Sequence, residues 1–247
     1  MENSSSFDFK SHGSGGLTKH FKEAAADLGV VLTDEQLQNF QRYYQELNLW
    51  NSRFNLVAST ESAEEVFVKH FLDSLTLVPF LPLPDGRLLD IGTGGGFPGI
   101  PLKMTLPGLK VTLLEASRKK VSFLKYLCRT LKLEGMSILQ ERLEALLKEE
   151  SFRGCFDMVV SRAALKLPQY LQAAGGLVSP SGLIFAMKGA NYRMELAEVS
   201  DVLTNGNLVL TDVHTLALPR GGDFRAILIF KKLKTHLTFR GQAVTRI

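Results

Sequence analysis

Between Leu88 and Leu102 the chain reads LLDIGTGGGFPGIPL, fifteen residues that hold five glycines, two prolines and one acid, Asp90. Bare backbone at Gly92, Gly94, Gly95 and Gly96 can turn sharply and approach a ligand closely. Gly94, Gly96 and Gly99 also satisfy G-x-G-x-x-G in letters, which by itself is a weak pointer to a dinucleotide. Asp90 argues against a pyrophosphate, because an anion two residues before the first glycine repels it, and Pro98 removes a backbone donor that a phosphate would use.

S-adenosylmethionine fits this loop better. Its sulfonium and α-ammonium are favoured by a nearby carboxylate, and its ribose hydroxyls need an acceptor. Glu115, 23 residues beyond Gly92 at the end of a second strand-like run, can accept them. NAD would use the same acid, so Glu115 points to a nucleoside without naming it. Asp90 reads equally well as a ligand contact or as an acceptor for the loop's own N–H groups.

The elements that must position these residues follow from pattern. The first sixteen residues are rich in Ser and Gly and read as disordered. Residues 17–82 read as a helical cap, with a Thr33/Gln36 capping box ahead of Leu37, Phe40, Tyr44 and Leu47 at helical spacing. The break PLPD at 82 to 85 marks a boundary. From 83 to 233 short β-rich runs (RLLDI, KVTLLE, SILQE, FDMVVS, GLIFAMK) alternate with helical ones, and LVLTDVHTL and RAILIFKK can pair antiparallel at one edge. That alternation predicts an α/β fold, a mostly parallel seven-stranded sheet with helices on both faces. Ligands in such sheets bind beyond the carboxyl ends of the strands, here after Ile91, Glu115 and Val160.

The 247 residues suffice for a sizeable core, and 45% hydrophobic with 22% charged residues is an ordinary globular composition. No apolar run reaches the roughly 18 residues of a membrane span, and the N-terminus lacks a secretory pattern, so a cytoplasmic protein is expected. Cys128 and Cys155 read as reduced thiols, and the five histidines show no metal-ligand spacing, so no metal is expected. Of the net charge of +4, five Lys or Arg residues lie between Lys231 and Ile247 with no acid among them. The basic tail 234–247 suits attraction to phosphate or simple solvation equally.

The reaction is narrowed by what is missing. After the fourth strand stands VVSRA, where an Asn/Asp-Pro-Pro-aromatic motif would serve exocyclic amines, and no cysteine is placed there as a carbon nucleophile. A ring nitrogen with an in-plane lone pair needs alignment rather than a general base, in keeping with the lack of an acid–base pair. Arg162 would then contact O6, a phosphate or the cofactor carboxylate, or else cap a helix or pair with Asp157. His70 and Asp73 lie within one helical turn, in a local hydrogen bond or near the cofactor mouth. Phe40, Tyr43, Tyr44 and Phe54 read as core before base-stacking platform.

Together DIGTGGGFPGIPL, LLEASRKKVSFL, ERLEAL, VVSRA, AMKG, WNSRFNLVA and HFLDS, spread over roughly residues 33 to 231, resemble the RsmG (GidB) family of guanine-N7 methyltransferases of bacterial small-subunit ribosomal RNA. The resemblance implies a Rossmann-like class I methyltransferase fold, S-adenosylmethionine as cofactor, and 16S rRNA or the small subunit, at guanine 527, as substrate of a monomer. It implies cofactor contacts at Gly92 and Phe97 (through backbone or ring), a ribose acceptor at Glu115, and an adenine border at Leu143 and Glu144. Asp90, Gly94, Gly96 and Ala116 complete the expected cofactor set. Arg162 matches the arginine that bridges cofactor and RNA sites and is the expected catalytic residue. Lys188 and Arg225 match family positions and, with Lys119 and Lys120 from the charge pattern, make the expected RNA contacts. Two alternatives stand beside this reading: an RNA-binding module with a vestigial pocket, and an NAD-dependent dehydrogenase.

Overall fold

The computed structural model describes residues 14–58, 61–219 and 223–234. Most of the N-terminal segment expected to be disordered, and nearly all of the basic tail, lie outside these residues. A first helix, α1 (Ser14–Asp27), begins within the Ser/Gly-rich stretch, three residues ahead of the expected cap.

Helix α2 (Asp34–Asn51) starts on the expected capping box: Gln36 N–H donates to Thr33 Oγ1 at 3.2 Å, and Thr33 N–H to Gln36 Oε1 at 2.9 Å. The second helical run is composite. About one turn of α-helix, α3 (Ala63–Val66), passes into a π-helical stretch, Phe67–Leu72, and back into α4 (Asp73–Leu75). Its capping box uses Ser62 and Glu65.

The sheet alternates as the pattern predicts: β1 (Arg87–Ile91), α5 (Gly99–Thr105), β2 (Lys110–Leu114), α6 (Arg118–Thr130), β3 (Met136–Leu139), α7 (Leu143–Leu146), β4 (Phe156–Arg162). There follow α8 (Leu167–Leu177), β5 (Val178–Lys188), α9 (Tyr192–Ala197), α10 (Ser200–Asn205), β6 (Leu208–Ala217) and β7 (Phe224–Lys232). The strand order is β3-β2-β1-β4-β5-β7-β6, with β1 to β5 parallel and β7 antiparallel to both β5 and β6. The order reverses between β1 and β4, so the loops after these two strands flank the crevice where such sheets bind ligands.

The PLPD break falls between the N-terminal helices and β1, and one hydrophobic cluster crosses it. Phe40, Tyr43, Phe71 and Leu75 of the cap are buried together with Leu88, Phe97 and Leu113 of the sheet. The aromatics Phe40 and Tyr43 are fully buried, so they are core and unavailable for base stacking. Tyr43 lies parallel to Phe97 at 5.4 Å, and its hydroxyl donates to Gly95 O at 2.6 Å. The cap is thus welded to the glycine loop by apolar area and one buried hydrogen bond.

Candidate active site

The glycine loop owes its shape to internal contacts. Gly92 has φ +71°, and a Cβ there would stand 2.6 Å from the Ala164 Cβ, so the loops after β1 and β4 touch only because Gly92 is bare. At Gly96 (φ +107°) a Cβ would meet the Tyr43 hydroxyl at 2.5 Å; this glycine makes room for the cap. Asp90, fully buried, accepts through Oδ2 from Thr93 Oγ1 at 2.6 Å and from Gly99 N–H at 2.8 Å, while its Oδ1 has no partner among the described residues. Burial pushes its pKa up to about 6, against the opposing hydrogen bonds from Thr93 and Gly99.

A cavity of about 240 Å³ opens beyond the carboxyl ends of the first four strands. Its walls include Gly92, Glu115, Ala116, Leu143, Glu144 and Leu165. Five residues expected to bind the cofactor, Gly92, Glu115, Ala116, Leu143 and Glu144, therefore converge here from the three loops after β1, β2 and β3. Glu115 is held by two backbone donors, Gly94 N–H to Oε2 at 3.0 Å and Ser117 N–H to Oε1 at 2.8 Å. Each oxygen keeps a lone pair for a hydroxyl.

Other expected contacts lie elsewhere. Asp90 is the loop's internal acceptor and does not line the cavity, because its carboxylate is enclosed between β1 and α5. Gly94 gives its N–H to Glu115, and Gly96 gives its N–H to Thr93 O. Phe97 is buried with its ring among Tyr43, Phe71 and His70 and its N–H on Thr93 O, so neither ring nor amide reaches the cavity.

Arg162 departs most from expectation. Its guanidinium turns toward the cap, donating to Lys69 O at 2.8 Å and to Asp73 Oδ2 at 3.2 Å, lying 2.9 Å from His70 Nδ1, and stacking over the Phe97 ring at 5.2 Å. It does not line this cavity. The carbonyl it meets belongs to the π-helical stretch, whose i to i+5 pattern loosens the turn. Asp73, fully buried, also holds Arg225 at 2.9 Å from Oδ1. His70 Nε2 lies 2.8 Å from Glu61 Oε2. A guanidinium only donates, so Nδ1 accepts and Nε2 carries the proton, and His70 is neutral in this arrangement. Burial first, and the charge of Arg162 second, lower its pKa below the ordinary histidine value.

The expected RNA contacts divide in two. Lys119 is exposed at the start of α6 with its ammonium 5.5 Å from the Phe54 ring centre, and Lys120 beside it is partly exposed. Lys188 is nearly buried and held by Leu165 O at 2.9 Å and Glu195 at 2.8 Å; Arg225 is held by Asp73. These two are engaged within the protein, which removes them as free phosphate contacts. The sequence reading missed Ala164, Leu165 and Glu195; the first two directly follow SRA and were open to notice, whereas Glu195 carries no local signal. Among the described residues no group of three or more His, Cys, Asp or Glu is placed to hold a metal, and no helix is long and apolar enough to cross a membrane.

Comparison with known proteins agrees with this geometry. Among solved structures, yhhF of Escherichia coli, named as a candidate methyltransferase, superposes with a TM-score of 0.52 at 17% identity, covering 65% of this chain and 85% of that one, a likeness of fold. A curated relative from Syntrophus aciditrophicus, named ribosomal RNA small subunit methyltransferase G, is 62% identical over 86% of this chain and 88% of its own length. Its namesake from Caldanaerobacter subterraneus is 39% identical over 85% of this chain and 88% of its own. The sheet, with its helices on both faces, is that of the Rossmann-like class I methyltransferases, and a family model described as rRNA small subunit methyltransferase G matches residues 36–220, so the chain belongs to the GidB family.

Proposed function

We propose that the chain transfers a methyl group from S-adenosylmethionine to N7 of a guanine in 16S rRNA of the small ribosomal subunit, as a monomer in the cytoplasm. The observation that carries this reading is the cavity at the carboxyl ends of β1 to β4, bounded by bare Gly92 on one side and by the doubly anchored Glu115 on the other. Its lining fits the cofactor: Glu115 for the ribose hydroxyls, and Leu143 and Leu165 for an adenine face. When bound, S-adenosylmethionine supplies an electrophilic methyl group; N7 donates its lone pair to that carbon and sulfur keeps the electrons of the bond that breaks.

The residues of this chain have a limited task. N7 bears no proton, so no side chain need act as base, and the protein contributes position and field. Arg162 serves as a positioning residue, fixing the loop after β4 against the cap through Lys69, His70 and Asp73. Lys119 and Lys120 face solvent near the carboxyl end of β2 and suit RNA phosphates. Neither a vestigial pocket nor a dehydrogenase suits a family named for methyl transfer to rRNA.

The test is transfer of labelled methyl to unmethylated small-subunit RNA and to intact subunits, with the product mapped by cleavage specific for N7-methylguanine. One labelled guanine is expected. Cofactor binding without transfer to either form would overturn the proposal.

A further inference from the structure

A second cavity, of about 620 Å³, lies beyond the carboxyl ends of β4 and β5. It shares Ala164 and Leu165 with the first, so two residues form the wall between them. Ala163 at its edge holds φ +56°, a left-handed conformation that a residue with a Cβ adopts at a cost. The proposed function assigns this space no role.

Its polar side chains are Lys166, Lys188, Asn191, Glu195 and Glu198; Lys166, Asn191 and Glu198 are exposed at the rim, whereas Lys188 and Glu195 are more buried and paired with each other. Glu195 uses Oε2 twice, accepting from Leu167 N–H at 2.7 Å and from Lys188 Nζ at 2.8 Å; its Oε1 takes no hydrogen bond from the described residues. Burial opposes its ionisation, but the Lys188 ammonium and the Leu167 N–H outweigh burial and hold its pKa below the usual glutamate value. The carboxylate is thus anchored, charged and half unused. Lys188 gives two hydrogen bonds, to Leu165 O and Glu195, and keeps a third donor. Met194, at 72% exposure one of the most exposed large apolar side chains in the described residues, lies at the same cavity and offers a soft face to a flat ring.

We propose that this cavity receives the target base and that Glu195 reads its Watson–Crick edge, a specificity role that rests on the methyltransferase reading above. Guanine alone among the four RNA bases offers two adjacent donors on that edge, N1–H and the N2 amino group, which an ionised carboxylate can accept. O6 stands next to N1, where the remaining Lys188 donor can meet it. N7 lies on the adjacent Hoogsteen edge, beyond O6, so a base gripped through N1–H, N2 and the N1 side of O6 keeps its reacting lone pair unengaged. As N7 gains the methyl group the ring becomes positively charged, and an anion hydrogen-bonded to that ring favours the change.

The experiment compares small-subunit RNA carrying guanine at the methylated position with the same RNA carrying hypoxanthine, which keeps N7, O6 and N1–H but lacks the N2 amine. The wild-type protein is expected to prefer guanine by about 10-fold or more in kcat/KM, the loss that follows when a charged acceptor is left without its donor. Glu195→Gln is expected to lower that preference to about twofold or less, since the single amide oxygen stays with Leu167 and Lys188 and the NH2 group facing the base accepts nothing. If the variant transfers too slowly to measure, equilibrium binding of the two RNAs in the presence of S-adenosylhomocysteine supplies the same ratio, with cofactor affinity as the check on folding. A wild-type protein indifferent to the N2 amine, or a variant with the full wild-type preference by either readout, would overturn the assignment. Failure of the wild-type protein to methylate even the guanine RNA and intact subunits would fall on the proposed function instead.

Discussion

Arg162, the last residue of β4, and Asp73, at the start of α4, form an ion pair at 3.2 Å across 89 residues of sequence. The carboxylate is fully buried and the arginine nearly so, with 19% of its side chain exposed. Arg225 approaches the same carboxylate from β7, so one acid joins the cap to two strands of the sheet.

Removing that acid leaves two arginines facing each other without their shared partner. Asp73→Ala is expected to destabilise the protein by about 3 kcal/mol, the loss associated with breaking a buried pair, somewhat eased because both arginines keep some access to water. Urea unfolding of the variant checks it; a change under about 0.5 kcal/mol would mean that the pair contributes little.

His70 makes the same junction sensitive to pH. Its folded pKa is lowered, so the unfolded chain takes up a proton first, and the stability it contributes is present above the ordinary histidine range and lost as pH falls through the folded value. Wild type is expected to lose more stability than His70→Gln between about pH 8 and pH 5, since glutamine can accept from Arg162 and donate to Glu61 without titrating. Parallel losses would assign the pH response to other groups.

Asp90 has the opposite sign. Its folded pKa of about 6 lies above the ordinary 3.8, so its contribution is full below 3.8 and lost as pH rises through 6. Relative to Asp90→Asn, wild type should gain about 2 kcal/mol on going from about pH 7 to pH 4. Paired unfolding curves at the two pH values give that difference directly, and a constant difference would show that Asp90 does not titrate in this range.

The strand-end acids and the glycine loop were legible in sequence because a parallel sheet brings successive carboxyl ends together, whatever the details of packing. Hence Gly92, Glu115, Ala116, Leu143 and Glu144 meet at one cavity as expected. Phe97 and Arg162 were not, because what they touch belongs to the cap, and no local spacing encodes a contact between distant segments. Asp157, one partner considered for Arg162, sits five residues back along β4, about 16 Å away in an extended strand, where it pairs with Arg87 instead. His70 and Asp73 were noticed for their helical spacing, but they meet through Arg162 rather than each other.

Glu115 offers a cleaner test of the cofactor site. Glu115→Gln keeps one acceptor for the two backbone donors and loses the charge, and is expected to weaken S-adenosylmethionine binding about 10-fold and to cost about 1 kcal/mol of stability, for the backbone N–H left facing the amide. Titration calorimetry with the cofactor decides it, and unchanged affinity would remove Glu115 from the ribose.

The lysines separate by engagement. Lys119→Ala and Lys120→Ala should each flatten the salt dependence of RNA binding by about one unit of slope, whereas Lys188→Ala should leave the slope as it is. Filter binding over a range of salt measures both, and equal slopes for all three variants would contradict the division drawn from their contacts.

The π-helical stretch in the cap has a further consequence, for chain length. A π turn accommodates one residue more than an α turn, and each residue of an α-helix advances the rotation by about 100°. Deleting a single residue between Phe67 and Leu72 would let the segment regularise to α-helix with Asp73 and Leu75 kept at nearly the same angle, whereas inserting one more would swing them by about 100° around the axis, away from Arg162 and the core. The stretch can therefore lose a position far more readily than it can gain one.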